Sequence, residues 1–303
     1  MDWCKQGLIF KPSKSHSFAK NRVMLPTPLL INPSTIRIYC GFVDDTSISR
    51  LGYVDVKADN PSEIISTSQE PLLDSGLDGS FDDNGLCPSS VVRVGSKVYL
   101  YYFGFQLGVK VPFYIFSGLA ISEDNGETFF KYSSVPILER SSQECFIRSG
   151  PCVIYDQERS IFRMWYLSTS ELSSRGLRSS YYYDIYYLES DDGIVWGKVG
   201  MKTIARTKEE IAFGRPFYFK LGAEELLFYS KKTNEHDYRI GVAKIIGNHY
   251  SRVDSELDFD LSEEGWDSEM LCCSSIFQHN EKVYMFYNGN NIGETGFGYA
   301  ILV

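Results

Sequence analysis

Cysteine, histidine and the turn carboxylates are the first residues to test for chemistry. The seven cysteines stand at 4, 40, 87, 145, 152, 272 and 273, an odd number with no CxxC spacing. A zinc site draws its thiolates and imidazoles from closely spaced pairs. The four histidines at 16, 236, 249 and 279 do not pair in that way. The sequence therefore calls for no metal and no cofactor. Adjacent Cys272 and Cys273 would point to opposite faces of a strand. Most of the cysteines lie in apolar, strand-like runs, so reduced, buried thiols of a cytoplasmic protein are expected. Two turns, Ser122-Glu123-Asp124-Asn125-Gly126-Glu127-Thr128-Phe129 and Ser190-Asp191-Asp192-Gly193-Ile194-Val195-Trp196, each set an Asp close before a Gly. An Asp so placed caps the turn backbone while Gly takes a positive φ. These carboxylates are read as structural.

The elements that must position any site come from a chain of 303 residues, 43% hydrophobic and 15% aromatic, enough to bury a sizeable core without cross-links. Such a length fits two domains or one large all-β domain. The net charge of −9 argues against general attraction to nucleic acid or an anionic membrane, though a local basic pocket stays open. No apolar run reaches 18 residues, so no membrane insertion is expected. Met1 to Gly7 lacks a basic region followed by an apolar stretch, so the expected location is cytoplasmic.

Internal repetition is the most informative pattern. Five apolar runs rich in aromatics occupy residues 36–41, 98–104, 162–166, 226–230 and 283–288. Aligning Tyr39, Tyr102, Tyr166, Tyr229 and Tyr287 gives spacings of 63, 64, 63 and 58. Another apolar stretch, often opened by proline, precedes each run (25–31, 88–92, 151–154, 216–219, 273–277), and a third follows (51–54, 118–121, 185–188, 240–243, 297–300). Glycines 52, 118, 241 and 298 hold equivalent places, where packed sheets could approach closely. Fourth strands are expected at 128–132 and 258–261, and loops or short turns at 173–178 and 208–211. Short strands at this period predict an all-β, five-bladed β-propeller with blades of about four antiparallel strands. The units run approximately 15–75, 76–138, 139–205, 206–262 and 263–303, as a single domain. The last unit lacks an outer strand, which residues 7–11 would supply.

The chain resembles the five-bladed propeller glycoside hydrolase superfamily of arabinanase/xylosidase, invertase and mannoside-phosphorylase type. The carriers are the two Asp turns, Asp83-Asn84-Gly85-Leu86-Cys87-Pro88, and the Tyr-Asn-Gly-Asn ending at Asn290 with the segment 293–300 after it. The resemblance implies an active site at one end of the central channel, built from the starts of the innermost strands. It selects His16 to Arg22, Asp82-Asp83-Asn84, Glu144 to Arg148, Phe213-Gly214-Arg215 and Asp267-Ser268-Glu269. Glycoside hydrolysis uses two carboxyl groups across the sugar. By position Glu144 would be the general acid, Asp83 would orient substrate or tune that acid, and Asp267 or Glu269 would serve as base. Family members of arabinanase and invertase type carry a catalytic Asp in the opening strand of the first blade. Residues 21–31 here hold no carboxylate and offer Arg22 instead.

Arg22, Arg148 and Arg215, with Lys20 and His16 nearby, would bind a phosphate or carboxylate through fixed forks of donors, and Asp82 is expected among the other substrate-binding residues. The expected function is a carbohydrate-active enzyme acting on a glycoside or sugar conjugate with an anionic group, in surface-polysaccharide or sugar-nucleotide metabolism. A phosphorolytic or glycosyl-transferring variant, or a non-catalytic propeller binding a glycan or protein partner, are the alternatives.

Overall fold

The computed structural model describes residues 1–169, 171–175 and 178–303. Strand β1 (Trp3–Phe10) precedes a sheet of β2 (Arg22–Asn32), β3 (Thr35–Val43), β4 (Ser49–Lys57) and β5 (Asn60–Thr67). The second sheet holds β6 (Leu86–Val94), β7 (Lys97–Leu107), β8 (Phe113–Ser122) and β9 (Phe130–Lys131). Next come β10 (Arg148–Asp156) and β11 (Ile161–Ser168), then a separate hairpin, β12 (Leu172–Arg175) and β13 (Arg178–Tyr181). Strands β14 (Asp184–Ser190) and β15 (Met201–Ile204) complete the third sheet. The fourth is β16 (Glu210–Leu221), β17 (Glu224–Thr233), β18 (Arg239–Ile246) and β19 (His249–Arg252). The fifth is β20 (Cys272–His279), β21 (Lys282–Asn288) and β22 (Phe297–Leu302), with β1 antiparallel to β22 on its outer edge.

Each of these units is an antiparallel meander, the second and third being joined by one parallel contact of β8 with β10 at Phe116 and Arg148, and the five first strands touch in a closed cycle, β2 to β6 to β10 to β16 to β20 and back to β2. Separate apolar cores fill the gaps between neighbouring sheets, such as Ile36, Ile38 and Val54 against Tyr284 and Phe286. This is an all-β fold of propeller type.

Three expectations need correction. Residues 258–261 are not a fourth strand; β19 takes that place, and Asp258 only bridges Asp2. The stretches expected as loops are largely strand: Leu172–Arg175 pairs with Arg178–Tyr181, and β16 begins at Glu210. Residues 176 and 177 of the first stretch lie outside the described residues. The space beside the repeated glycines is filled by rings of their own sheet, not by a neighbouring sheet. A Cβ on Gly118 would meet the Tyr102 ring at 2.4 Å, and one on Gly241 the Tyr229 ring at 2.7 Å. Gly52 is likewise covered by Phe42, whereas Gly298 lies against the Gly7 carbonyl of β1 and the Trp266 ring from the loop before β20.

The aligned tyrosines explain the repeat. Each buried ring sends its hydroxyl to an acceptor outside the meander. Tyr102 donates to Asp82 (3.3 Å), Tyr166 to Glu144 (2.7 Å), Tyr229 to Asp254 (2.7 Å), Tyr287 to Asp267 (2.9 Å), and Tyr39 to the Gly126 carbonyl (2.8 Å). A buried phenol needs such a partner. The Asp turns behave as read: Asp124 accepts the Glu127 and Thr128 amides, and Asp192 those of Ile194 and Val195. Hydrogen bonds from the Thr128 hydroxyl and amide hold the Asp124 pKa down at about 2.

Each first strand is also bulged at the same place: between Met24 and Thr27, Pro88 and Ser90, Ser149 and Cys152, Gly214 and Phe217, and Cys272 and Ser275. Leu25, Gly150, Arg215 and Cys273 take φ values of 55°, 62°, 28° and 56° there. The prolines 26, 88, 151 and 216 fall at these bulges, where a missing N–H breaks no ladder bond.

The outer-edge strand makes a direct test. Trp3 is buried against Phe228 in the core between the fourth and fifth sheets. Trp3→Ala is expected to lower unfolding free energy by about 3–5 kcal/mol, and deletion of residues 1–12 to lower the melting temperature further. Asp254 supplies a pH test. Burial would raise its pKa, but hydrogen bonds from Lys231, Arg252 and Tyr229 outweigh this and hold it below the ordinary range. A carboxyl depressed in the folded state stabilises above its unfolded pKa of about 3.9, and this is lost as pH falls through the folded value. Asp254→Asn is therefore expected to flatten the loss of stability below about pH 4 in urea titrations.

Candidate active site

The bulges of the first strands open onto a cavity of about 750 Å³, within the range of small-molecule sites. Its walls are largely apolar, with Phe103, Phe105, Phe113, Ile115 and Leu167 among them. Its charged groups are Arg22, Arg215 and Glu294, and its neutral polar residues include Asn84, Ser149 and the Cys272–Cys273 pair. Arg22 Nη2 stands 3.9 Å from Glu294 Oε2, and both side chains are exposed. Glu294 is the one carboxylate among the described lining residues.

Arg215 crosses the channel. It is 3% exposed and donates to the Pro26 carbonyl (2.8 Å), the Cys273 carbonyl (2.9 Å), the Ser89 carbonyl (3.2 Å) and Thr27 Oγ1 (2.7 Å). One side chain thus ties the first, second and fifth sheets to the fourth. Burial pulls its pKa down. Both cysteines are free thiols; hydrogen bonding from the Cys272 thiol, with the Arg215 charge nearby, outweighs burial and pulls the Cys273 thiol below its ordinary range.

Of the residues expected at the site, Arg22 and Arg215 line this cavity. The acids before the first strands take other partners. Asp82 is buried against Lys131 (2.6 Å) and Tyr102. Glu144, also buried, accepts from Tyr166, the Gly200 amide (2.7 Å) and Arg148 Nε (3.2 Å). Arg148 turns its other nitrogens to the Glu139 and Gly197 carbonyls, away from the cavity lining. Asp267 joins Lys5 (2.8 Å) and Tyr287. Glu269 is exposed, its amide donating to Asn290 Oδ1 (2.8 Å). His16 packs edge-on against Phe10, Phe18 and Phe42, its Nδ1 accepting from the Ala19 amide. Asp83 Oδ2 accepts from the Gly79 amide, and its Oδ1 is buried without a partner. Its neighbour Asn84 reaches the cavity.

Sequence reasoning missed Glu294, although it stands inside the segment 293–300 that marks the last unit. It also missed the cysteine pair as cavity wall. The backbone there is held from afar: Asn288 accepts from the Leu25 amide (2.8 Å) and donates to the Val23 carbonyl (2.8 Å).

The fold is similar to that of solved glycoside hydrolases. One described as "Glycoside hydrolase" superposes with a TM-score of 0.73 at 17% identity, over 98% of this chain and 90% of that one. A second, a GH130-family structure described as a glycoside hydrolase that targets β-1,2 mannosidic linkages in Candida mannan, gives 0.69 at 14% identity over 99% and 93%. At such identities the likeness is one of fold. No family model matches the chain. It is 32% identical over 305 residues to the "Uncharacterized protein Rv1502" of Mycobacterium tuberculosis strain H37Rv, covering 100% of this chain and 99% of that protein. The chain belongs to the family of that protein. A β-1,2-mannobiose phosphorylase of Thermoanaerobacter sp. strain X514 is 32% identical over 95 residues, 29% of this chain and 30% of the relative.

The Glu144 cluster yields a test of stability. Glu144→Ala would leave Arg148 buried without its carboxylate, and breaking a buried pair costs about 3–5 kcal/mol. A chemical denaturation curve shifted by that amount is the expected result.

Proposed function

We propose that this chain is a carbohydrate-active enzyme whose cavity binds a glycoside or sugar conjugate carrying an anionic group. The observation that carries the reading is the meeting of Arg22 and Glu294 at the rim of a large cavity at the bulged ends of the first strands. Aromatic walls such as Phe103, Phe105 and Phe113 suit the apolar faces of a sugar or its aglycone. The fold of glycoside hydrolases and the partial likeness to a mannobiose phosphorylase support the class. A substrate from cytoplasmic surface-polysaccharide or sugar-nucleotide metabolism fits an anion held by arginine. The five sheets act in this reading as a single domain.

The chemistry follows from the carboxylates. Hydrolysis by two carboxyl groups needs both within about 5–9.5 Å across the bond, and Glu294 alone of the described carboxylates lines the cavity. One acid and an incoming acceptor suffice for phosphorolysis or glycosyl transfer. Glu294 would protonate the leaving oxygen, Arg22 would hold the anionic group and keep Glu294 oriented, and Asp83, one residue from the lining, would orient substrate through the Asn84 turn. This moves the acid role from Glu144 to Glu294. The same lone carboxylate also favours, as a second reading, a propeller that binds a glycan without turning it over.

Aryl glycosides and sugar phosphates, each assayed with and without phosphate as acceptor, separate these readings. Glu294→Gln is expected to lower turnover by at least about 100-fold, the usual range for loss of a general acid, with melting unchanged. A wild-type protein that binds sugars but turns none over would establish the binding reading.

A further inference from the structure

The cavity wall is divided by its chemistry. Arg22 opens β2 of the first sheet and Glu294 lies in the turn between β21 and β22 of the fifth, so the charged rim belongs to these two sheets. The second sheet presents a different surface. Phe103, Phe105 and Leu107 stand at alternate positions of β7, and all three line the cavity, because side chains two apart on a strand share a face. Phe105 pairs with Ile115 and Leu107 with Phe113 on β8, and both partners line the cavity as well. Phe116, the next residue of β8, turns instead into the core between the first and second sheets. The rings are in contact along the strip: Phe103 and Phe105 have centroids 5.3 Å apart, and Phe105 and Phe113 5.8 Å.

Four residue steps of extended strand give this strip a length of about 13 Å. Its burial is graded. Phe103 and Ile115 are buried, Phe105 and Phe113 half-buried, and Leu107 is 68% exposed. The inner end therefore lies within the cavity and the outer end meets solvent. Asn84, the polar residue this unit adds to the lining, already accepts from the Leu107 amide at 3.3 Å. A sugar chain laid along the whole strip would leave hydroxyls facing hydrocarbon without partners, which is unfavourable. A hydrocarbon chain there buries apolar area alone and is favoured in proportion to it.

We propose that the β7–β8 wall seats an aliphatic chain, so that the conjugate bound here is an amphiphile, with a sugar head at Arg22 and an alkyl, acyl or prenyl aglycone along Phe103, Phe105, Leu107, Phe113 and Ile115. This rests on reading the cavity as the site of a sugar conjugate, and adds what the sugar is joined to. Because the strip is open at Leu107, a chain longer than the wall leaves through the mouth.

Alkyl β-glucosides from methyl to nonyl, and the matching glucuronides, are titrated by calorimetry below their micelle concentrations. Affinity of the wild type is expected to rise by about fourfold for each added CH2 that reaches the wall. A flat series, or no binding by the nonyl compounds, overturns the proposal. Leu107 is exposed, so Leu107→Asn is expected to fold normally and to weaken nonyl binding about tenfold, with the methyl compounds unaffected. Val109 is 82% exposed and lies outside the cavity lining, so Val109→Asn is expected to change neither. Equal loss in the two variants, or no loss in Leu107→Asn, also overturns it. Arg22→Gln is expected to abolish any preference for glucuronides while keeping the dependence on chain length. Turnover of short glycosides with no such dependence sinks this inference alone. The dependence without turnover of any glycoside sinks the enzymatic reading and leaves the wall as assigned.

Discussion

Five first strands converging on one axis leave backbone groups that no sheet can pair, and the rest of the structure depends on how these are met. Each strand bulges where it nears the channel, and a bulge leaves ladder groups open. Buried carbonyls of this kind must find donors. Arg215 serves those of Pro26, Ser89 and Cys273 at once, while Ser275 also donates to Pro26 and Ser90 to Pro151. A guanidinium is suited to this because its planar fork presents several donors in fixed directions. The same residue therefore closes the ring and forms the cavity floor.

Around the rim of each sheet a second device repeats. A tyrosine of the second strand lies across the third strand, often over a glycine, and hands its hydroxyl to an acceptor in a flanking loop. In four sheets that acceptor is a carboxylate: Asp82, Glu144, Asp254 or Asp267. Cations then complete the pairs, with Lys131, Arg148, Arg252 and Lys5 as partners. Asp82, Glu144 and Asp267 stand shortly before first strands, while Asp254 follows the last strand of the fourth sheet. Their hydrogen bonds face inward to the sheets, which leaves Glu294 to face the cavity.

Much of the architecture was legible from the aromatic period, because a repeated strand pattern has few other ways to bury its apolar faces. The Asp turns were legible for the same local reason: Asp124 and Asp192 bond to amides within four residues. The fourth strand of the fourth sheet was misplaced, since the aromatic content of 258–261 resembles that of a strand while β19 is short and polar. Arg22 and Arg215 were found from their place at strand starts. Glu294 was not, because it lies in a turn after the second strand of the last unit and meets Arg22 only when the ring closes.

The sequence by itself determined most of the strands and the turn caps, since these rest on contacts between near neighbours and on the period of apolar residues; the same period left the last unit one strand short, which pointed to the N-terminal strand. Tertiary structure alone decided which charged groups reach the cavity. A carboxylate before a first strand can turn to its own tyrosine or to the channel without any change in local pattern. Glu144 bonds to Tyr166, 22 residues on, and to the Gly200 amide, 56 residues on, whereas Arg215 reaches Pro26 across 189 residues. Those distances in the chain carry no periodic signal. Only the packed ring assigns each charge its partner.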